Sequence, residues 1–161
     1  MGIGLAAGVT LGVVLLIVGF IVLGAIFGLV PLYAGFLLLW YFGSIDLLEE
    51  GALPALAVGA VAGTLIAWGL QVGVAAWGPA GALPGVAVIV VAIFCQLRGI
   101  LPLAINRATM LYVTVLAAPL LQTGERFDQV LIVVALATVY FGGIVVGAKR
   151  LIAARAGGEA R

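Results

Sequence analysis

Two stretches without a single charged side chain, Met1 to Ile45 and Gly51 to Leu97, make up more than half of this chain and decide which solvent it folds in. A soluble domain carries charge on roughly a quarter of its residues to keep its surface in water. Here the charged fraction is 8% and the hydrophobic fraction 66% over 161 residues. The expected home is a lipid bilayer. Because the hydrocarbon core is about 30 Å thick, each crossing takes about 20 residues, so this length accommodates five or six crossings joined by short turns.

Composition also removes several function classes. A net charge of +1 offers no basic patch for nucleic acid. With no histidine, one cysteine and carboxylates confined to turns and the tail, the sequence contains no nucleophile–base pair and no ligand cluster for a metal, so no enzyme and no cofactor are expected. Cys95 lies in the apolar run Val86 to Leu97, where a buried thiol is the ordinary reading. The first 45 residues carry no Lys or Arg, unlike a secretory signal, and are read as mature membrane structure.

Proline, glycine and charge supply the breakpoints. A first helix runs from about Gly4 to Phe27 and ends at Gly28-Leu29-Val30-Pro31, since proline cannot continue a helix but suits the start of the next. The segment from Pro31 to about Ile45 is short, about 22 Å at 1.5 Å per residue, and closes on the acidic turn Asp46, Glu49, Glu50. A third helix is expected over Ala52 to Trp77 and a fourth over Pro84 to Arg98, separated by a Gly/Pro turn. A fifth runs from Leu103 to Leu121 with a kink at Pro119, and a sixth from Phe127 to Ala153. This amounts to an all-α polytopic membrane helix bundle: one transmembrane domain over residues 1–154 and a short tail over 155–161. The crossing count is six, or five if the Pro31 segment does not span.

Lys and Arg near helix ends favour the cytoplasm. Lys149, Arg150, Arg155 and Arg161 put the C-terminus inside, and six crossings then also put the Arg98 to Arg107 connection inside and Arg126 outside. The pattern has an internal echo. Val30-Pro31-Leu32 followed nine residues on by Tyr41 matches Leu101-Pro102-Leu103 followed nine residues on by Tyr112. Residues 1–78 and 79–154 would then be halves of three helices each, related as an inverted 3+3 repeat of the kind from which many transporters are built.

Glycines at four-residue spacing, Gly4-Gly8-Gly12, Gly24-Gly28, Gly59-Gly63, Gly69-Gly73 and Gly143-Gly147, allow close helix approach, within the chain or in a homo-oligomer. Gln71, Thr64, Thr114 and Thr138 stand alone in apolar helices and are expected to bond neighbouring helices. The candidate functional cluster is Gln96, Arg98, Asn106 and Arg107, two guanidinium groups and two amides flanking the Pro102 break. An ionisable group at membrane depth is by default a site hypothesis, whereas arginines within a turn or two of a helix end also serve as interfacial anchors. Asp46, Glu49 and Glu50 fall on the same side and are candidate partners for the arginines, or else form a solvated turn.

The run Pro31-Leu32-Tyr33-Ala34-Gly35-Phe36, then Tyr41-Phe42, Phe94-Cys95-Gln96, the turn at Gly124 and the glycine-rich last helix together resemble the YcdZ-like family of small bacterial inner-membrane proteins. Tyr33 stands where that pattern has tryptophan, and Asp46 to Glu50 is more acidic than its turn. The resemblance implies a bacterial cytoplasmic membrane and no assigned activity. Two functions are compatible with all of this: an oligomeric channel or facilitator for a small solute, and an accessory subunit that packs against a partner membrane protein.

Overall fold

The computed structural model describes residues 2–158, which form helices and turns with no strand among them. Helix α1 spans Ile3–Ile26, α2 Tyr33–Ser44, α3 Leu53–Trp77, α4 Ala82–Arg98, α5 Arg107–Leu116, α6 the single turn Pro119–Gln122, and α7 Phe127–Gly158. Three helical stretches, Ala6–Ile26, Glu50–Arg98 and Phe127–Leu151, are long and apolar enough to cross a membrane. The middle one is a hairpin of α3 and α4, joined by a 3-10 turn over Gly78–Gly81. At its bend the two helices lie so close that a Cβ on Gly85 would sit 3.0 Å from the Leu70 Cα.

Helices α1 and α4 end in the same way. Gly28 and Gly99 adopt left-handed φ values of 63° and 65°. At each, the next residue donates back to the carbonyl five before it, Leu29 to Gly24 at 2.9 Å and Ile100 to Cys95 at 2.8 Å. This is the Schellman arrangement, which needs a residue without a Cβ penalty at the left-handed position. Each glycine is followed three residues later by proline, Pro31 or Pro102, and then by a short helix of 12 residues in α2 and 10 in α5. At 1.5 Å per residue these reach only about 15 to 18 Å.

The fifth helix departs from the expected Leu103 to Leu121. It begins at Arg107, because the Asn106 side chain accepts hydrogen bonds from the Ala108 and Thr109 amides and caps it there. It ends at Leu116, and Pro119 opens a separate turn instead of kinking a continuous helix. Helix α7 runs on past Ala154 to Gly158, so residues 155–158 prolong it where a tail was expected; residues 159–161 lie outside the described residues.

The short helices are internal and the first and fourth helices external. In α5, five of ten residues are buried, including Tyr112 and Leu116; in α4 only Ala92 is. Cys95, expected to be buried, is accordingly half-buried. Helix α1 attaches near its C-terminal half, where the fully buried Phe20 ring meets Phe36, Tyr140 and Phe141 with centroids 5.7, 5.7 and 4.7 Å away. Pairs at such separations add about 0.5–1.5 kcal/mol each beyond area burial.

The packing crosses between the halves. Helix α2 lies against α7, α5 lies against α3, and α3 and α7 meet in the centre. The close approach of α3 and α5 rests on glycine: a Cβ on Gly63 would lie 2.6 Å from the Thr109 carbonyl oxygen and 2.8 Å from the Tyr112 Cβ. Gly24, Gly59 and Gly73 likewise face neighbours, whereas Gly4, Gly8, Gly12, Gly69, Gly143 and Gly147 meet open space. Thr64 and Thr138 do not bridge helices as expected; each hydroxyl donates to its own helix, to the carbonyls of Ala60 and Val134, both at 2.8 Å. Gln71 does bridge, donating to the carbonyls of Gln122 and Glu125.

Candidate functional site

Where the C-terminal end of α2 meets the start of α3 and the start of α5, the bundle opens into a cavity of about 300 Å³ lined by Tyr41, Asp46, Ala55, Leu56, Asn106 and Arg107, among others. Two of the four residues singled out from the sequence, Asn106 and Arg107, are on its wall. The other two are not: Gln96 and Arg98 sit in the last turn of α4, where Arg98 is exposed. The Pro102 break therefore separates the cluster, and Asp46 and Tyr41 complete the site from α2 and its turn.

Asn106 is the frame of this wall. Its amide nitrogen donates to the carbonyls of Ala55, Leu103 and Pro102 at 2.8, 3.1 and 3.2 Å, and its oxygen accepts from the Ala108 and Thr109 amides at 2.9 and 3.3 Å. Thr109 reciprocates, accepting from the Asn106 backbone amide at 3.1 Å and donating to the Ala104 carbonyl at 2.6 Å. Two amide hydrogens serve three acceptors, so none is left for a solute. The fit also needs Gly59, where any Cβ would press on the Asn106 carboxamide, 2.7 Å from its nitrogen.

Asp46 is presented by a strained turn. Leu47 and Leu48 occupy the left-handed region at φ 48° and 60°, a conformation that costs a residue with a Cβ about 1–3 kcal/mol. Three bonds hold it: Leu48 amide to the Phe42 carbonyl at 2.9 Å, Glu49 amide to the Asp46 carbonyl at 2.8 Å, and the Lys149 ammonium to the Leu48 carbonyl at 2.6 Å. Partial burial and the nearby Glu49 push the Asp46 carboxyl above the usual carboxylate range, and the Arg107 guanidinium opposes them. Despite that mutual influence, neither Asp46 nor Arg107 forms an ion pair among the described residues; Arg126–Asp128, at 2.6 Å on the exposed opposite end, is the one present. Asp46 and Arg107 thus line one cavity without forming an ion pair.

The opposite end is tied by side chains. The Tyr33 hydroxyl donates to the Glu125 carboxylate at 2.8 Å, and Gln71 donates to the Gln122 and Glu125 carbonyls at 3.1 and 3.2 Å. Gln122 donates to the Leu116 and Ala67 carbonyls at 2.8 and 3.1 Å, while its side-chain oxygen is buried with no partner. Between the two ends the interior is filled by Phe42, Leu56, Thr64, Tyr112 and Phe141, each at most 2% exposed. Sequence reasoning missed Tyr33, Gln122 and Glu125 as a group, since nothing in their spacing of 92 residues signals contact.

Searches against family models, curated proteins and solved structures find no match to this chain.

Proposed function

We propose that this protein is a multi-pass membrane facilitator for a small polar solute. The solute enters at the Asp46–Arg107 cavity and is released when the opposite end opens. The observation that carries this reading is the contrast between an open, charged cavity at one end and a hydrogen-bonded closure at the other, separated by a filled core. Such asymmetry is what one state of an alternating device looks like, because a site reachable from both sides at once would be a pore. The crossed packing of α2 on α7 and α5 on α3, together with the matched Gly-x-x-Pro endings, supports an inverted 3+3 repeat and six crossings, with the two short helices broken or tilted around the centre. Arg98, Arg107, Lys149 and Arg150 gather at the cavity end, and by the preference of cations for the cytoplasm that end and the C-terminus face inward. The resemblance to YcdZ-like proteins supports a bacterial cytoplasmic membrane as its location.

The test is reconstitution into liposomes and measurement of flux over a panel of ions, urea, small acids, amines and amino acids. Faster uptake of at least one solute, reduced by Arg107→Ala, supports the reading; no flux across the panel sinks it.

A second reading, an accessory subunit or homo-oligomer held by helix packing, is favoured by one separate observation. The glycine ladder Gly4, Gly8, Gly12 on α1 faces open space, and α1 touches the bundle mainly through its other half. A stoichiometric partner recovered from native membranes supports it, and a flux-competent protein that remains monomeric in the bilayer counts against it.

A further inference from the structure

We infer that the cavity between α2, α3 and α5 binds a small zwitterion, with the ammonium group against Asp46 and the carboxylate or phosphate group against Arg107. This names the solute class for the proposed facilitator and rests on that reading only for its transport role. A cavity of about 300 Å³ lies at the small end of ligand sites, which run from about 300 to 1,000 Å³. It excludes large substrates and suits a molecule of amino-acid size.

The charge arrangement selects the ligand further. A site for anions would place Arg107 without a carboxylate in the same cavity, and a site for cations would place Asp46 without a guanidinium. Here both line the wall, each without an ion-pair partner among the described residues. Asp46 is partly buried and Arg107 exposed, and a ligand carrying both signs can pair with each of them. The backbone beneath each charge is anchored. Asp46 is fixed by the strained Leu47–Leu48 turn and the Lys149 tether, and Arg107 follows directly on Asn106, whose carboxamide is locked to Ala55. Ile45, Ala52 and Ala55 add apolar lining for the ligand's carbon skeleton.

Ammonium and acidic group occur together in a free amino acid and in the phosphoethanolamine headgroup of a lipid, and the cavity's chemistry is common to both. The experiment uses the full chain in nanodiscs of phosphatidylglycerol, titrated by calorimetry with glycine, proline, phosphoethanolamine, acetate and methylammonium. The inference expects zwitterions to bind at least tenfold more tightly than acetate or methylammonium. Asp46→Asn and Arg107→Gln should each weaken glycine at least tenfold. Asp46→Asn should leave acetate binding intact and Arg107→Gln should leave methylammonium intact. Because both substitutions lie at the cavity rim, an unchanged melting temperature verifies the fold, and the exchange Asp46→Arg with Arg107→Asp should restore glycine binding. Loss of glycine affinity in nanodiscs containing phosphatidylethanolamine assigns the headgroup as the occupant, and unchanged affinity assigns the free solute. Acetate binding as tightly as glycine, glycine binding indifferent to Asp46→Asn, or no binding by any zwitterion overturns the inference. Zwitterion binding without flux in liposomes sinks the facilitator reading and leaves the site standing; flux of a solute unaffected by either charge does the reverse.

Discussion

The two ends of this bundle are built from similar materials to opposite effect. Both have a short inner helix running into a polar turn, and in both a long helix of the other half reaches that turn: Lys149 of α7 to the Leu48 carbonyl, Gln71 of α3 to the Gln122 and Glu125 carbonyls. At the Glu125 end Gln71 and Gln122 donate to backbone carbonyls and Tyr33 to the Glu125 carboxylate, and the turn closes. At the Asp46 end Asn106, Thr109 and Lys149 bond backbone carbonyls, while Asp46 and Arg107 line the cavity without an ion pair among the described residues. Whether an end is open or shut therefore depends on which side chains satisfy the orphan carbonyls there, because a buried carbonyl without a partner costs about 1–3 kcal/mol and must recruit something.

The largest effect should come from removing Asn106. Asn106→Ala takes away the cap of α5 and the cross-helix bond to the Ala55 carbonyl, for a loss of about 2 kcal/mol in total and a clear drop in melting temperature in detergent. An unchanged melting temperature would show that the open end is not held this way. At the closed end, Tyr33→Phe removes one bond to Glu125 and leaves the Gln71 and Gln122 contacts in place. It should cost about 1 kcal/mol and speed hydrogen exchange at the Gln122–Glu125 amides, with no such change around Ala55; equal acceleration at both ends would erase the distinction between them. The smallest effect belongs to Asp128. Its carboxylate accepts a hydrogen bond from the Arg126 guanidinium at 2.6 Å. Since both groups are exposed, solvent screens the pair. Asp128→Asn should leave melting at neutral pH unchanged within error, and acidification should bring no further divergence from the parent; a marked acid-sensitive difference would mean that the pair helps to close its end.

Much of this architecture is readable from residue type alone, for definite reasons. Absence of charge marks the membrane segments, since no other solvent tolerates such runs, and the two Gly-x-x-Pro breaks mark the ends of α1 and α4 because glycine and proline act on the backbone locally. The start of α5 is less accessible. Asn106 looks like one more polar residue near a break; its capping bonds are local, but its tie to the Ala55 carbonyl, fifty-one residues earlier, has no signal in the sequence. Glycine spacing has the same weakness: Gly59-Gly63 and Gly4-Gly8 read identically, yet the first lies under α5 and the second meets nothing. The proposed site was half visible. Arg107 and Asn106 stand out beside Pro102, and acidic partners for the arginines can be named, but the choice of Asp46 and the exclusion of Arg98 follow from which helix end comes beside which, and that is a property of the folded chain.

The crossed packing has a consequence for the order of events during synthesis. When α3 leaves the ribosome, the turn that α2 has just made still waits for Lys149, about a hundred residues downstream, and the α3 face bearing Gly59 and Gly63 waits for α5. Each half is finished only by the other, so the N-terminal half must remain in the membrane as an incomplete intermediate, its strained Leu47–Leu48 turn untethered, until the last helix arrives. A chain stopped after α3 should therefore be cleared by membrane quality control, and supplying the second half as a separate polypeptide should rescue it.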